Sequence, residues 1–308
     1  MTKKALIVGS GGQDGTLLTQ LLTKRGYVVV GLKRNDLDIL NPQIVIDLVN
    51  DLKPAEIYYL AAYHHSSENL PPGSGDMFRK SMDVHFYGLV NFLDAITMVL
   101  PSARLFFASS SHIFGAVENG MQTEETIYDP QSEYAITKVA GMRACQHYRR
   151  VNNVFASIGI LYNHESSLRK CNFLSKKIAI TAARIGKEGG GTLELADLGA
   201  EIDWGDASDT VDAMHRILQL EKPSDYIVAT GHLRSVREFA DIAFRYVGLD
   251  YTNHVVSKKN VALRNNYRRV GDFSKLKKDT GWVPSISFEQ MVGNLVQSEL
   301  DTLLSNEH

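Results

Sequence analysis

Cysteine is almost missing from this chain. Cys145 and Cys171 are the only two in 308 residues, and they follow neither a metal-ligand spacing nor a framework of pairs. That excludes a disulfide-stapled scaffold and a zinc module, so no metal is expected, and a reducing, cytoplasmic home fits. Cys145 falls on a helical stretch and reads as a packing residue. No apolar run nears the roughly 20 residues that cross a bilayer. Lys3-Lys4 leads directly into an apolar strand pattern, so no signal peptide is expected. Charge of one sign is also lacking. The 33 basic and 35 acidic residues leave a net charge of −2, which draws the chain to neither nucleic acid nor a membrane surface. Internal repeats and low-complexity tracts are absent. What remains is an ordinary globular composition, 44% hydrophobic and 22% charged, long enough for one large or two modest domains.

The chain opens with a buried-strand pattern, Ala5-Leu6-Ile7-Val8. A glycine-rich turn holding Gly9, Gly12, Gln13, Asp14 and Gly15 follows, and then an apolar helix from Thr16. Glycines let backbone approach a pyrophosphate, and a helix N-terminus attracts its charge. The spacing is Gly-x-x-Gly-x-x-Gly rather than Gly-x-Gly-x-x-Gly, so the turn alone would also suit a plain strand-to-helix connection. Its place at the first strand, before a second strand over residues 27–33, favours a dinucleotide site. That second strand ends in Lys33-Arg34-Asn35-Asp36. An acidic residue here usually holds the ribose hydroxyls of NAD. Arg34 suits a 2′-phosphate instead, so NADP(H) is preferred. Asp36 reaching the ribose would keep NAD(H) open, and a solvated basic strand end is the plain alternative.

Further strands are expected at 56–60, 104–107 and 155–161, with helices at 44–52, at 78–98 and around Tyr134. This alternation predicts an α/β fold with a doubly wound parallel sheet of Rossmann type, and a smaller C-terminal α/β substrate-binding domain. Residues 1–165 would form the dinucleotide-binding domain, with 203–245 returning to it. Residues 166–202 and 246–308 would form the smaller part. Ligands in such folds sit beyond the carboxyl ends of the strands. Leu60-Ala61-Ala62, Ser109-Ser110-Ser111-His112 and Asn163-His164 all fall there.

The chemistry centres on residues 109–138. Tyr134 and Lys138 lie four apart on one helix face, where an ammonium lowers the pKa of a phenol. A serine hydroxyl nearby orients a carbonyl or alcohol. This set suits proton movement at an alcohol oxygen while hydride leaves or joins its carbon. His64-His65 could touch a sugar or be polar loop residues. His85, Phe86 and Tyr87 read as core or subunit-interface residues, Arg149-Arg150 as a solvated helix end, and Trp204 and Trp282 as packing residues. The loop 66–75, with Pro71-Pro72-Gly73, is expected to cover the site.

With these stretches in view, the chain resembles the extended short-chain dehydrogenase/reductase family, and most of all the GDP-mannose 4,6-dehydratases. The resemblance rests on Gly12-Gln13-Asp14-Gly15, Ser132-Glu133-Tyr134 with Lys138, Asn163-His164-Glu165-Ser166, Asp203-Trp204-Gly205 and Gly281-Trp282-Val283-Pro284. It implies that Tyr134 is the acid/base at a sugar 4-hydroxyl, and that Lys138 holds the nicotinamide ribose and lowers the tyrosine pKa. Ser110 would hydrogen-bond the 4-oxygen. Ser111, Asn163, Arg169 and Arg264 become substrate contacts, the phosphates lying near Asn163 and Arg169. A homodimer through the long helices around Phe86 and Tyr134 is implied. Departures are present too. His112 stands where the dehydratases carry the glutamate that removes the C5 proton. The region after Arg34 is short. Ile202 replaces an arginine, and Leu263-Arg264-Asn265-Asn266 replaces an Arg-Pro-Thr-Glu type of stretch. Three functions are therefore carried forward: a nucleotide-sugar dehydratase, a 4-keto-sugar reductase or epimerase on the same scaffold, and a non-catalytic dinucleotide sensor, against which the Tyr134/Lys138 pair argues.

Overall fold

The computed structural model describes residues 2–63, 75–115, 120–257 and 268–305. His64-His65, most of the 66–75 loop and Arg264 lie outside the described residues. The first half alternates strand and helix: β1 (Lys4–Val8), α1 (Gln13–Lys24), β2 (Val28–Leu32), α2 (Pro42–Leu52) and β3 (Glu56–Tyr59). After these come α3 (Gly75–Met82), a π turn (Asp83–Tyr87), α4 (Gly88–Val99), β4 (Arg104–Ser110), a 3-10 turn (Ser111–Phe114), α5 (Glu133–Val151) and β5 (Phe155–Leu161). The helix expected at 78–98 is thus α3 and α4 joined through a π turn. Strand β4 runs three residues past its expected end, carrying Ser109 and Ser110 into the sheet.

Local signals explain the boundaries. Asn41 caps α2 by accepting from the amides of Gln43 and Ile44, and Pro42 opens the helix without losing a hydrogen bond. Ser132 caps α5 by accepting from Ala135 N–H. Strands β3, β4 and β5 are buried along nearly their whole length and mostly apolar, as strands covered on both faces are.

The second half contributes β6 (Asn163–Glu165), α6 (Leu174–Glu188), β7 (Leu193–Leu195), β8 (Glu201–Asp206), α7 (Ala207–Gln219), β9 (Asp225–Val228), β10 (Leu233–Ser235), α8 (Val236–Tyr246), β11 (Val255–Ser257), α9 (Ser274–Thr280) and α10 (Phe288–Ser305). The main sheet is parallel throughout, in the order β2-β1-β3-β4-β5-β9. Alternation along each strand divides its side chains between two cores. Leu6 and Val8 pack with α2, α4 and α5, whereas Ala5 and Ile7 pack with α1 and α7. A third core gathers α6, α8 and α10 with Trp204. The sequence reading returns 203–245 to the first domain as a block. The packing divides it: α7 and β9 join the main sheet, but Phe239, Ala243 and Phe244 of α8 turn their apolar face into the third core. The hinge of this division is Asp203. It accepts from the Thr230 hydroxyl and from the amides of Thr230, Gly231 and Gly271, joining β8 to the chain beyond β9.

Candidate functional site

Strand β1 lies between β2 and β3, so the order of the sheet reverses there and a crevice opens beyond the carboxyl ends. Gly9 leaves β1 with φ +97°, a region that side chains rarely adopt. A Cβ on Gly9 would sit 2.8 Å from Ala61 N, and one on Gly15 would sit 2.5 Å from Gly9 O. Gly12 is less constrained, with only Gly9 O at 3.5 Å. It precedes α1, and no side chain caps that helix. Its first amides are therefore free of side-chain competition for an anion. Leu60, whose amide donates to Val8 O at 2.9 Å, leads Ala61 and Ala62 past the same crevice.

At the end of β2, Asp36 folds back on its own turn. Lys33 N–H donates to its carboxylate at 2.8 Å, and Asp36 N–H donates to Lys33 O at 3.1 Å. The Arg34 guanidinium lies over the Tyr63 ring, 5.4 Å from its centroid.

A cavity of about 560 Å³ runs from Leu60 and Ala62 past Ser109–His112, Tyr134 and Lys138 to Asn163 and Arg169. Tyr134 and Lys138 occupy successive turns of α5. Lys138 is 2% exposed. Its ammonium donates to Ala108 O at 2.7 Å and lies 5.6 Å from the Tyr134 ring centroid. Burial pushes Lys138 down to about 7 and Tyr134 up to about 12, while the Ser110 hydroxyl bonded to the phenol pulls it back down. Burial thus opposes the lowering of Tyr134 expected from its lysine neighbour, because it favours the neutral form of both groups. Ser110 also accepts from His112 N–H at 3.3 Å, which sets the 3-10 turn. The His112 ring stands edge-on to Tyr134, centroids 6.1 Å apart. Ser111 is buried in the cavity wall, and the buried Ser109 hydroxyl has no hydrogen-bond partner among the described residues.

At the far end, Asn163 begins β6. Arg169 approaches Glu165 at 3.0 Å and lies over the Phe173 ring, 3.9 Å from its centroid. Burial raises the carboxyl of Glu165 against the opposing Arg169, and Ser175 donates to it at 2.7 Å.

Sequence reasoning missed the pairing between the two ends of this wall. His164 Nε2 lies 3.0 and 3.1 Å from the two Asp14 oxygens, and its Nδ1 donates to Tyr162 O at 2.7 Å. With both nitrogens donating, the ring is an imidazolium. Burial works to lower the His164 pKa, but Asp14 reverses the sign and raises it. Burial likewise works to raise Asp14, and His164 holds it below its ordinary value instead. Gln13 donates to His164 O at 3.1 Å and accepts from the Ser166 hydroxyl at 2.9 Å. Gln13 and Asp14, expected as cofactor contacts, thus fasten α1 to β6. Both segments appear in the sequence motifs, but nothing local links them. His85, the other missed residue, lies buried with its ring 5.3 Å from that of Tyr134.

The backbone cradle at Gly9 and Gly15 and the uncapped α1 terminus fit a pyrophosphate-bridged dinucleotide. No helix among the described residues is long and apolar enough to cross a membrane. The family described as GDP-mannose 4,6 dehydratase matches residues 32–295. The GDP-mannose 4,6 dehydratase of Drosophila melanogaster is 31% identical over 99% of this chain and 88% of its own. Among solved structures, RMD from Pseudomonas aeruginosa complexed with NADPH superposes with TM-score 0.85 at 22% identity, over 98% of this chain and 100% of that one. UDP-glucose 4-epimerase from Thermotoga maritima with UDP-glucose gives 0.84 at 18% identity, over 97% and 99%. The last two establish the fold. The first two, read with the geometry, establish that the chain belongs to the GDP-mannose 4,6-dehydratase family and is a nucleotide-sugar enzyme of the dehydratase and epimerase type.

Proposed function

We propose that this enzyme uses NADP(H) and acts at C4 of a GDP-linked hexose, removing water as a 4,6-dehydratase. The observation that carries the reading is one cavity holding Ser110, Tyr134 and Lys138 beside the glycine cradle, with Arg169 at its far end. NADP(H), when bound, would supply the hydride carrier, and the Gly9–Gly15 turn and Lys138 would hold it, with Arg34 the group that would meet its 2′-phosphate. Tyr134 takes the proton of the sugar 4-hydroxyl and Ser110 orients that oxygen. Once C4 is a ketone, the C5 proton is acidic. His112 is the group poised to remove it, because an imidazole serves as a base near neutral pH. The C6 hydroxyl would then leave as water with the proton taken from C5, and a proton returned to C5 as C6 is reduced would leave the sugar and the dinucleotide with no net redox change. Ser111, Asn163, Arg169 and Arg264 would bind the substrate. A homodimer through α4 and α5 and a cytoplasmic location complete the reading.

One observation favours a second reading. Position 112 carries an imidazole and not a carboxylate, and a 4-keto-sugar reductase or epimerase needs Ser110, Tyr134 and Lys138 without that carboxylate. Mass spectrometry separates the two. The protein as isolated is incubated with GDP-mannose and other GDP-sugars. Loss of water without added cofactor is the dehydratase outcome. Consumption of NADPH only with a 4-keto-6-deoxy sugar is the reductase outcome. Cofactor binding with no turnover of any sugar would overturn both and leave the sensor.

A further inference from the structure

We propose that His85 is a positioning residue for the acid/base tyrosine: its neutral imidazole ties the loop after β3 to the first turns of α5 and fixes the plane of the Tyr134 ring. The proposal rests on Tyr134 being the acid/base, as read above.

The protonation of His85 follows from its partners. Its Nε2 lies 3.0 Å from Tyr63 N, and an amide N–H only donates, so Nε2 is the unprotonated nitrogen. The proton is then on Nδ1, 2.8 Å from the Thr137 hydroxyl. Thr137 donates onward to Tyr134 O at 3.0 Å. Every bond in this chain has one direction, set by the Tyr63 amide. A protonated imidazole would break the first link, in a place with no exposure to water. The ring also stands edge to face against the phenol ring of Tyr134, with 5.3 Å between centroids and 87° between planes. That is the favourable arrangement for two aromatic quadrupoles. Tyr134 has few torsions to fix, so a buried ring held against it, together with the edge-on His112 ring, limits where the phenol oxygen sits relative to Ser110.

The backbone that presents His85 is itself specified. His85 is the middle residue of the π turn, a helical defect often found at functional sites. Tyr59 donates its hydroxyl to Val84 O within that turn at 2.6 Å. A Cβ on Gly141 of α5 would lie 2.6 Å from His85 O, so only glycine lets α5 approach the turn this closely. The other end of the link matters equally. Tyr63 directly follows Ala61-Ala62, and Ala61 N is the atom against which Gly9 is packed. One imidazole therefore joins the floor of the dinucleotide crevice to the helix of the catalytic tyrosine. A histidine serving the core alone would need neither directed bond.

The test uses full-length wild type, His85→Phe, which keeps an aromatic edge but loses both hydrogen bonds, and His85→Gln, whose amide can accept and donate again. In 15N NMR of imidazole-labelled protein, the resonance missing from both variants should be a neutral Nδ1–H tautomer that does not titrate across the folded range. Crystal structures should show Tyr134 turned away from Ser110 in His85→Phe and restored in His85→Gln. On a sugar nucleotide that the wild type turns over, His85→Phe should lose kcat by about ten- to a hundredfold, with KM and dinucleotide Kd held within about twofold. His85→Gln should recover most of that loss. An Nε2–H or titrating resonance, an unmoved Tyr134 ring, or a loss spread equally over KM and Kd would overturn the proposal. If the wild type turns over no sugar nucleotide, the functional reading falls, and the NMR and crystal results still decide the positioning.

Discussion

Burial favours the neutral forms of both titratable groups at the heart of the cavity. Lys138, pushed down to about 7, donates to Ala108 O, while Tyr134 is pushed up to about 12. A phenol in that state holds its proton until a ligand changes its neighbours, so the step depends on geometry at Ser110 as much as on acidity. If Tyr134 has the proposed role, Tyr134→Phe should slow the redox step by about 10²–10⁴-fold with dinucleotide Kd nearly unchanged, because only the positioned group that takes the 4-hydroxyl proton is removed. Rapid hydride transfer in that variant would dismiss Tyr134 from the role. Arg34 offers a second measurement. Asp36 is occupied by its own turn, which leaves Arg34 and the neighbouring Lys33 as the basic groups at this strand end to meet a phosphate. Arg34→Ser should weaken NADP(H) by about ten- to a hundredfold, the value of a charge-assisted hydrogen bond, and leave NAD(H) where it was. Titration calorimetry with both dinucleotides reads the difference, and an equal loss for both would mean that Arg34 reads no 2′-phosphate. Ser110, Tyr134 and Lys138 are legible in the sequence because helix spacing and position after a strand are local facts. His85 is not legible, since its partners stand 22 and 52 positions away.

Between elements, the Asp14–His164 pair joins the helix of the glycine turn to β6. It has a pH signature whose sign follows from the two shifts. His164 is raised, so its contribution is complete below the unfolded histidine value of about 6.5 and is lost as pH rises through the raised folded value. Asp14 is lowered, so its contribution is complete above the unfolded value of about 3.9 and is lost as pH falls through the lowered folded value. The Tm gap between wild type and His164→Gln should therefore be widest between about pH 4 and 6.5 and narrow on both sides. Leaving Asp14 without its partner costs of order 3 kcal/mol in that window. A gap that does not change with pH would show that Asp14 and His164 do not form an ion pair. Both motifs are visible in the sequence, yet the pairing spans 150 positions and exists only because β1 and β5 end at the same crevice, where α1 and β6 begin.

For the whole molecule, two cores on the main sheet and a third under α6, α8 and α10 bury most of the apolar surface. Tyr87 and Met98 stay 54% and 67% exposed, about three turns apart and so on one helical stripe. If α4 and α5 form the proposed homodimer contact, Tyr87→Glu with Met98→Glu should convert a dimer to a monomer by light scattering, with each protomer still folded. A wild type that is monomeric, or a variant that stays dimeric, would move the interface elsewhere. By itself the sequence determined what is local: apolar runs of strand length, the glycine turn, and the Tyr134/Lys138 spacing, all consequences of backbone geometry within a few residues. Tertiary structure decided the rest: that α8 joins the third core, that Asp14 spends its charge on His164, and that a buried histidine faces the tyrosine. Those depend on which surfaces meet once the sheet is closed, and burial then selects among charge states that an isolated segment leaves equally available.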